Sequence, residues 1–510
     1  MLDSGVLLRV AGALVLSYII QRLSRSVLSP LRSVPGPFLA RCSDLWYLWH
    51  VKKGHWEVRN IELHRKHGAI VRYGPNRYSV SDPEALGTIY GHGTRFTKSS
   101  WYNAWAPPDG WNLFADRSIQ RHANIRRQLQ STYSMTSLVS YEPYVNQCAD
   151  IFSQRLSEMS EAGTPVDMGH WMQCYAFDVI GQITFGKRIG FLDQGADIQG
   201  IIHAIDNQLV YGTLVGIYAR FHRAAFAVVN FLAGKKGAGR EYVVKLSKAS
   251  IAEEQEKRKT AGAEDREATG AAEPFVSKFL AKNEQDPEKF TMMHVLLGCT
   301  ANMTAGSDTT GISLSAILYY LLKHPECLKK LRREISESQE QGLLSASFDF
   351  KDTQQMPYLQ AVIKEALRIH PATGLPMERV VPEGGATING RFFPAGTIVG
   401  INCWVAHRNT QVFGADADEF RPERWLINDE DKLAAMNRQW IPFGVGSRTC
   451  IGRHISTLEI SKLIPRIVRE FDFELTDENA EKSWITRNYW FVKPQGFNVR
   501  VARREPKMSG

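Results

Sequence analysis

The stretch Ile441-Pro442-Phe443-Gly444-Val445-Gly446-Ser447-Arg448-Thr449-Cys450-Ile451-Gly452 decides how the chain reads. One cysteine stands in a glycine-rich turn, two residues after an arginine. An apolar helical pattern, Ile455 to Val468, follows at once. Gly444, Gly446 and Gly452 let the backbone turn tightly and approach a flat object closely. Amides ahead of a helix N-terminus stabilise a thiolate, and Arg448 adds positive charge. A thiolate held in this way is a candidate haem-iron ligand. The ordinary alternative is a buried structural thiol, because free cysteine is among the most buried residue types. The rest of the chain has to decide between them.

At 510 residues the chain can hold one large catalytic domain or two ordinary ones. A hydrophobic fraction of 44% and a charged fraction of 23% give it core enough to bury a large cofactor. Lys and Arg number 62 against 53 Asp and Glu, a net charge of +9 that suits an anionic membrane surface or an acidic partner. Nucleic acid fits poorly, since there is no basic run with interleaved aromatics and no zinc spacing. The seven cysteines, Cys42, Cys148, Cys174, Cys299, Cys327, Cys403 and Cys450, are scattered and form no C-x-x-C pair. That pattern argues against a disulfide framework or a zinc site and fits a reducing compartment.

Val6 to Ile20 is mostly apolar but carries Arg9, so it is marginal for a spanning helix. Arg9 could snorkel to headgroups. Arg22, Arg25 and Arg32 follow with no acid before Asp44, which places the C-terminal side in the cytosol. A cleaved signal peptide is the alternative, but the small-residue cleavage pattern is not evident. Pro30, Pro35, Gly36 and Pro37 form a stiff, non-helical linker. A helix from Trp56 to His67 leads into two short strands around Gly74-Pro75-Asn76. Phe96 to Arg117 is a long loop with Trp101, Tyr102, Trp105, Trp111 and Phe114, and loops of that length are usually functional. The next helix carries His122 and Arg126, four apart on one face.

Helical patterns continue to Tyr242. Val210 to Phe231 is apolar and aromatic, suited to core or to a surface that touches membrane or substrate. Glu253 to Glu273 is charged and Ala/Gly-rich, and reads as an exposed loop. Phe290 to Lys323 is one long helix with Ala305-Gly306-Ser307-Asp308-Thr309-Thr310 at its middle, ended by His324-Pro325. A helix starting near Pro357 and stopping at His370-Pro371 puts Glu365 and Arg368 on one face. Strands follow, with turn signals at Gly384-Gly385, Asn389-Gly390 and Pro394-Ala395-Gly396. Phe471 to Leu475 and Phe497 to Val501 read as strands, with an aromatic tip from Trp484 to Phe491 between them. The fold class is mainly α with a smaller β region, and no internal repeat is visible.

Together these features resemble the cytochrome P450 family, the haem-thiolate monooxygenases, over nearly the whole chain. The family's cysteine loop, Phe-x-x-Gly-x-Arg-x-Cys-x-Gly, is matched by Phe443, Gly446, Arg448, Cys450 and Gly452. Four further landmarks stand in the family's order: the long-helix Ala-Gly-x-Asp-Thr-Thr, the Glu-x-x-Arg, the Pro422-Glu423-Arg424 segment, and the proline-rich hinge. Arg72-Tyr73-Gly74-Pro75-Asn76 and Phe96-Thr97-Lys98-Ser99 look most like fungal microsomal members of the pisatin demethylase type. The resemblance implies the cytochrome P450 fold with an N-terminal membrane anchor helix in residues 1–29, a hinge in 30–37 and the catalytic domain in 38–510.

It also implies roles for single residues. Cys450 would be the axial thiolate of haem b, with Phe443 shielding the sulfur and Gly446 shaping the loop. Arg448, Arg379, His122 and Arg126 would meet the haem propionates, with His122 where many members have tryptophan. Thr309 and Asp308 would be the oxygen-activation pair, with a gap at Gly306 admitting dioxygen. The plainer role for Thr309 is a hydrogen bond back to its own helix. Glu365, Arg368 and Arg424 would form a buried scaffold triad. Substrate contacts would come from Trp101 to Phe114, Val210 to Phe231, the helix before Gly306, Gly374 to Met377, and Asn488 to Phe491. Core packing is the alternative for each single aromatic.

The implied enzyme is held by a single-pass anchor on the cytosolic face of the endoplasmic reticulum membrane. It would use dioxygen and NADPH-derived electrons from NADPH–cytochrome P450 reductase, with cytochrome b5 as a further donor. It would hydroxylate or otherwise oxidise a bulky apolar or aromatic small molecule in fungal secondary metabolism. The rivals are a haem-thiolate isomerase or dehydratase needing no external electrons, and a non-enzymatic haem-binding protein. The Asp308-Thr309 pair argues against both.

Overall fold

The apolar run around Ala305 forms one helix, Met292–Lys323, 32 residues long and therefore about 48 Å. Thr291 caps its start and His294 bonds back to the Thr291 backbone, so two orphan amides are satisfied reciprocally. His324 ends it, and Pro325 opens the next helix, Pro325–Glu340, where a missing amide costs nothing. The helix Met168–Phe185 packs along this central helix, and the helix Arg453–Glu470 packs across it. The helix Pro357–Ile369 is started by Glu334, whose carboxylate accepts from the amides of Tyr358 at 2.7 Å and Leu359 at 2.8 Å.

The computed structural model describes residues 28–233, 238–260, 272–345, 347–476 and 485–505, with the isolated positions 12, 13 and 17. The anchor read at Val6 to Ile20 otherwise lies outside them. Among the described residues no helix is long and apolar enough to cross a membrane. The proline linker is docked rather than free: Leu31 and Val34 are buried, and Pro35 accepts a hydrogen bond from the Arg72 amide at 2.8 Å.

Five strands make the main sheet: β1 (Ile70–Gly74), β2 (Arg77–Val80), β3 (Thr97–Lys98), β5 (Arg379–Val380) and β8 (Ile398–Gly400), in the order β1-β2-β8-β5-β3. Only β2 and β8 run parallel. β4 (Val166–Asp167), β9 (Phe471–Leu475) and β12 (Asn498–Arg503) form a second sheet. Two hairpins complete the β region, β6–β7 (Ala386–Ile388 with Arg391–Phe393) and β10–β11 (Ile485–Tyr489 with Phe491–Gln495). The first turns at Asn389-Gly390, both at positive φ, as an Asn-Gly hairpin requires.

Two expectations are corrected. Of the stretch read as a loop, Glu253 to Thr260 is helical, the end of the helix Ala238–Thr260, while residues 261–271 lie outside the described residues. Its charged side chains pair along and between helices, as Lys257 does with Glu253 and Arg258 with Glu284. Phe96 to Arg117 is not irregular throughout: it contains β3 and a 3₁₀ turn, Ser100–Trp105, capped by Ser99.

Candidate active site

The cysteine loop turns through three backbone bonds. The Gly444 amide donates to Ile441 O at 2.9 Å, the Thr449 amide to Gly446 O at 3.1 Å, and the Cys450 amide to Phe443 O at 2.8 Å. Gly446 lies at φ 68°, and a Cβ there would sit 1.8 Å from the Tyr90 carbonyl oxygen. Only glycine fits where this loop crosses the helix Ala85–Tyr90. Phe443 packs against Trp440, ring centroids 6.0 Å apart. Of the seven cysteines only Cys450 is exposed. Although the residue is open on one side, desolvation by the protein around the sulfur pushes its thiol up, opposed by the Gly452 and Arg453 amides and by the charges of Arg126 and Arg453.

Across from the loop runs the central helix, tied to the cysteine helix by Thr310 and Ser456, hydroxyl to hydroxyl at 3.1 Å. Ala301 and Ala305 are exposed although they lie mid-helix, and Thr309, four residues on, shares their face. The Thr309 hydroxyl donates back to Ala305 O at 2.9 Å. Asp308 points elsewhere and is fully buried. One carboxylate oxygen accepts from the Gln173 amide, and the other lies 2.8 Å from Lys493 Nζ. Lys493, on β11, also meets Asp206 at 2.5 Å, on the helix Ile201–Ile217. Burial alone would disfavour the ammonium, but the two carboxylates outweigh it and push Lys493 up. A Cβ at half-buried Gly306 would meet Ile180 at 3.1 Å, so the glycine also serves close packing of two helices.

Cations collect on the loop's other flank. Arg448 donates to the carbonyls of Asp116 at 2.6 Å and Ser118 at 3.3 Å. Arg379 donates to Glu378 O at 2.9 Å and lies over the Tyr90 ring. Lys98, which the sequence reading left unassigned, is buried here, donating to Phe114 O and facing the rings of Tyr102 and Phe114 at 4.3 Å each. Arg126 and His122 lie on the helix Ile119–Gln130, on one face as their spacing requires. None of these five has a carboxylate ion pair among the described residues. Burial, then Arg379, lowers Arg448 to about 10. Burial, then Arg448 and Lys98, lowers His122 to about 3. Burial, then Arg379 and Arg448, lowers Lys98 well below its ordinary value. Arg448, Arg379 and Lys98 donate to backbone carbonyls, and the nearby Asp116 carboxylate only partly offsets their mutual repulsion, so the cluster fits a ligand with carboxylates of its own, as haem has.

The scaffold triad is formed. Glu365 accepts from Arg368 Nε and Arg424 Nε, both at 2.8 Å, and from Trp425 Nε1 at 2.9 Å. Arg368 also donates to the carbonyls of His407, Ala417 and Glu419. All three triad side chains are buried and every charge is met, the condition under which an ion cluster fixes a geometry.

The expected substrate segments converge in part. Trp490, at φ 78° in the β10–β11 turn, packs on Trp101 at 5.1 Å, Phe114 at 5.7 Å and Trp105 at 6.0 Å. The Gly374 amide donates to Trp490 O at 2.9 Å, and Trp101 Nε1 donates to Thr213 O at 3.1 Å. The later part of Val210 to Phe231 does not join them, because the helix His222–Ala233 places Val228, Phe231 and Leu232 at the surface.

Comparison with known proteins identifies the family. The cytochrome P450 family profile matches residues 39–500. A pisatin demethylase of Fusarium vanettenii is 38% identical over 498 residues, 96% of this chain and 93% of that protein. A cytochrome P450 monooxygenase of Aspergillus terreus is 39% identical over 458 residues, 88% and 92% of the two chains. One of Penicillium aethiopicum is 35% identical over 509 residues, 98% of each. The chain therefore belongs to the cytochrome P450 family and is a haem-thiolate, oxygen-incorporating oxidoreductase.

Proposed function

We propose that Cys450 supplies the thiolate and that Arg448, Arg379, Arg126, His122 and Lys98 receive the haem propionates. The observation that carries this reading is the lone exposed cysteine beside five cationic or imidazole groups that have no carboxylate ion pair among the described residues. Cys403 is the poor alternative: it is buried and its thiol donates to Ile441 O at 3.3 Å. When bound, the haem supplies iron for dioxygen activation, with electron density pushed by the thiolate. The chain does the rest. Thr309 presents its hydroxyl to the face lined by Ala301 and Ala305. Asp308, held by Gln173 and Lys493, supplies protons to that hydroxyl after a rotation that frees one oxygen. Trp101, Trp105, Phe114 and Trp490 exclude water and receive an apolar ring.

The electrons come from NADPH through NADPH–cytochrome P450 reductase, with cytochrome b5 as a further donor, since the chain has no flavin or nicotinamide fingerprint. The substrate is a bulky apolar small molecule of fungal secondary metabolism, in keeping with relatives named as a pisatin demethylase and as fungal monooxygenases. Residues 1–29 anchor the enzyme to the endoplasmic reticulum membrane, 30–37 form the hinge, and 38–510 form the catalytic domain on the cytosolic face. The test is the absorption spectrum of the reduced, carbon-monoxide-bound protein. Wild type should give the red-shifted thiolate band and Cys450→Ala should lose it. Folded, haem-loaded wild type without that band would sink the Cys450 assignment.

A further inference from the structure

His407 is fully buried, immediately after the short helix Cys403–Ala406. Both of its ring nitrogens are engaged. Nδ1 lies 2.9 Å from Arg368 O, and Nε2 lies 2.8 Å from the Ile441 amide. A carbonyl only accepts and an amide only donates, so one neutral tautomer satisfies both: Nδ1 carries the hydrogen and Nε2 offers its lone pair. Burial, then the Arg368 charge, pushes the imidazole down to about 3, so the lone pair is free at neutral pH. Arg368 returns the contact, donating through Nη1 to His407 O at 2.7 Å. The bond to Ile441 matters because that residue opens the cysteine loop. Its carbonyl accepts from the Gly444 amide, setting the turn whose Phe443 carbonyl takes the Cys450 amide. The Cys403 thiol donates to the same Ile441 carbonyl.

We propose that His407 is a positioning residue that passes the geometry of the Glu365–Arg368–Arg424 triad to the Cys450 loop through the Ile441 amide. The triad touches no residue of the loop from Ile441 to Gly452 through a side-chain hydrogen bond among the described residues. The imidazole bridges that gap in two bonds. Trp440 makes a second tie, Nε1 to Lys364 O at 2.8 Å. That bond holds the residue before the loop, whereas His407 holds the loop's first amide.

The inference rests on Cys450 as the haem ligand, and its test separates the two claims. Asn at 407 can keep a donor near Nδ1 but leaves the buried Ile441 amide unpaired. Gln can place an acceptor near Nε2. Haem-loaded H407N and H407Q are compared with wild type by the rate at which the reduced carbon-monoxide thiolate band converts to the unshifted form. H407N should convert on the order of tenfold faster, the effect expected of one unpaired buried amide, while H407Q stays within about twofold of wild type. Hydrogen exchange should show segment 441–450 losing protection in H407N while helix 357–369 keeps it. Equal rates for H407N and wild type, or equal damage in both variants, overturns the proposal. If H407N is not recovered folded, H407Q decides: a retained band supports the inference and a lost band overturns it. Absence of the band in wild type would instead overturn the ligand assignment.

Discussion

Lys493 sits between two carboxylates, Asp308 and Asp206, that belong to different helices. Removing its charge leaves Asp308 buried without a cation, and burial then favours the neutral acid. Lys493→Met should therefore keep the thiolate band but slow oxygen consumption with NADPH and reductase by roughly 10- to 100-fold, the scale of a lost proton-transfer group. A larger share of the oxygen should leave as hydrogen peroxide. Unchanged rate and peroxide yield would remove Lys493 from proton handling. At this scale the sequence revealed what motifs hold in short order: Cys450 with Arg448, Asp308 with Thr309, Glu365 with Arg368. It concealed Lys98, Lys493 and His407. Their partners lie far away in the chain, and a lone lysine or histidine among apolar residues carries no local pattern.

Helices were the readable elements. Trp56–His67 and Met292–Lys323 follow from periodicity and from their proline or glycine ends. The two-residue β3 was not readable, because its pairing with Arg379 and Val380 is set by tertiary contact rather than by its own residues. Glycines needed the structure most. Gly306 reads as a gap and is also a packing contact with Ile180, while Gly446 reads as a turn and is also a crossing point. Gly446→Ala would drive a methyl into the Tyr90 carbonyl at a left-handed backbone position. The strain should exceed about 1–3 kcal/mol. The expected outcome is a lower Tm and haem lost on purification, read from haem per chain. Wild-type melting and full haem content would show that the crossing tolerates a side chain.

Two groups of exposed apolar side chains stand near the chain's entry and on the helix His222–Ala233. Phe38, Leu39, Leu45 and Trp49 are exposed on the helices that follow the proline linker, and Phe231 is 86% exposed on the helix His222–Ala233. The first group is tied to the segment leading into that helix where Ser43 Oγ lies 3.4 Å from Tyr218 Oη. A patch of this kind beside the chain's entry point suits a lipid surface, and the net charge of +9 favours an anionic one. On this reading the proposed anchor would be joined by a second membrane contact. The chain from residue 30 onward should still float with vesicles containing anionic lipid at low salt. Higher salt should weaken this binding by screening the charge, without abolishing the apolar part. Phe231→Ser with Leu232→Ser should cut the floated fraction severalfold and leave the thiolate band intact. If the shortened chain stays at the bottom of the gradient at low salt, the patch does not bind membrane and the anchor alone must account for attachment.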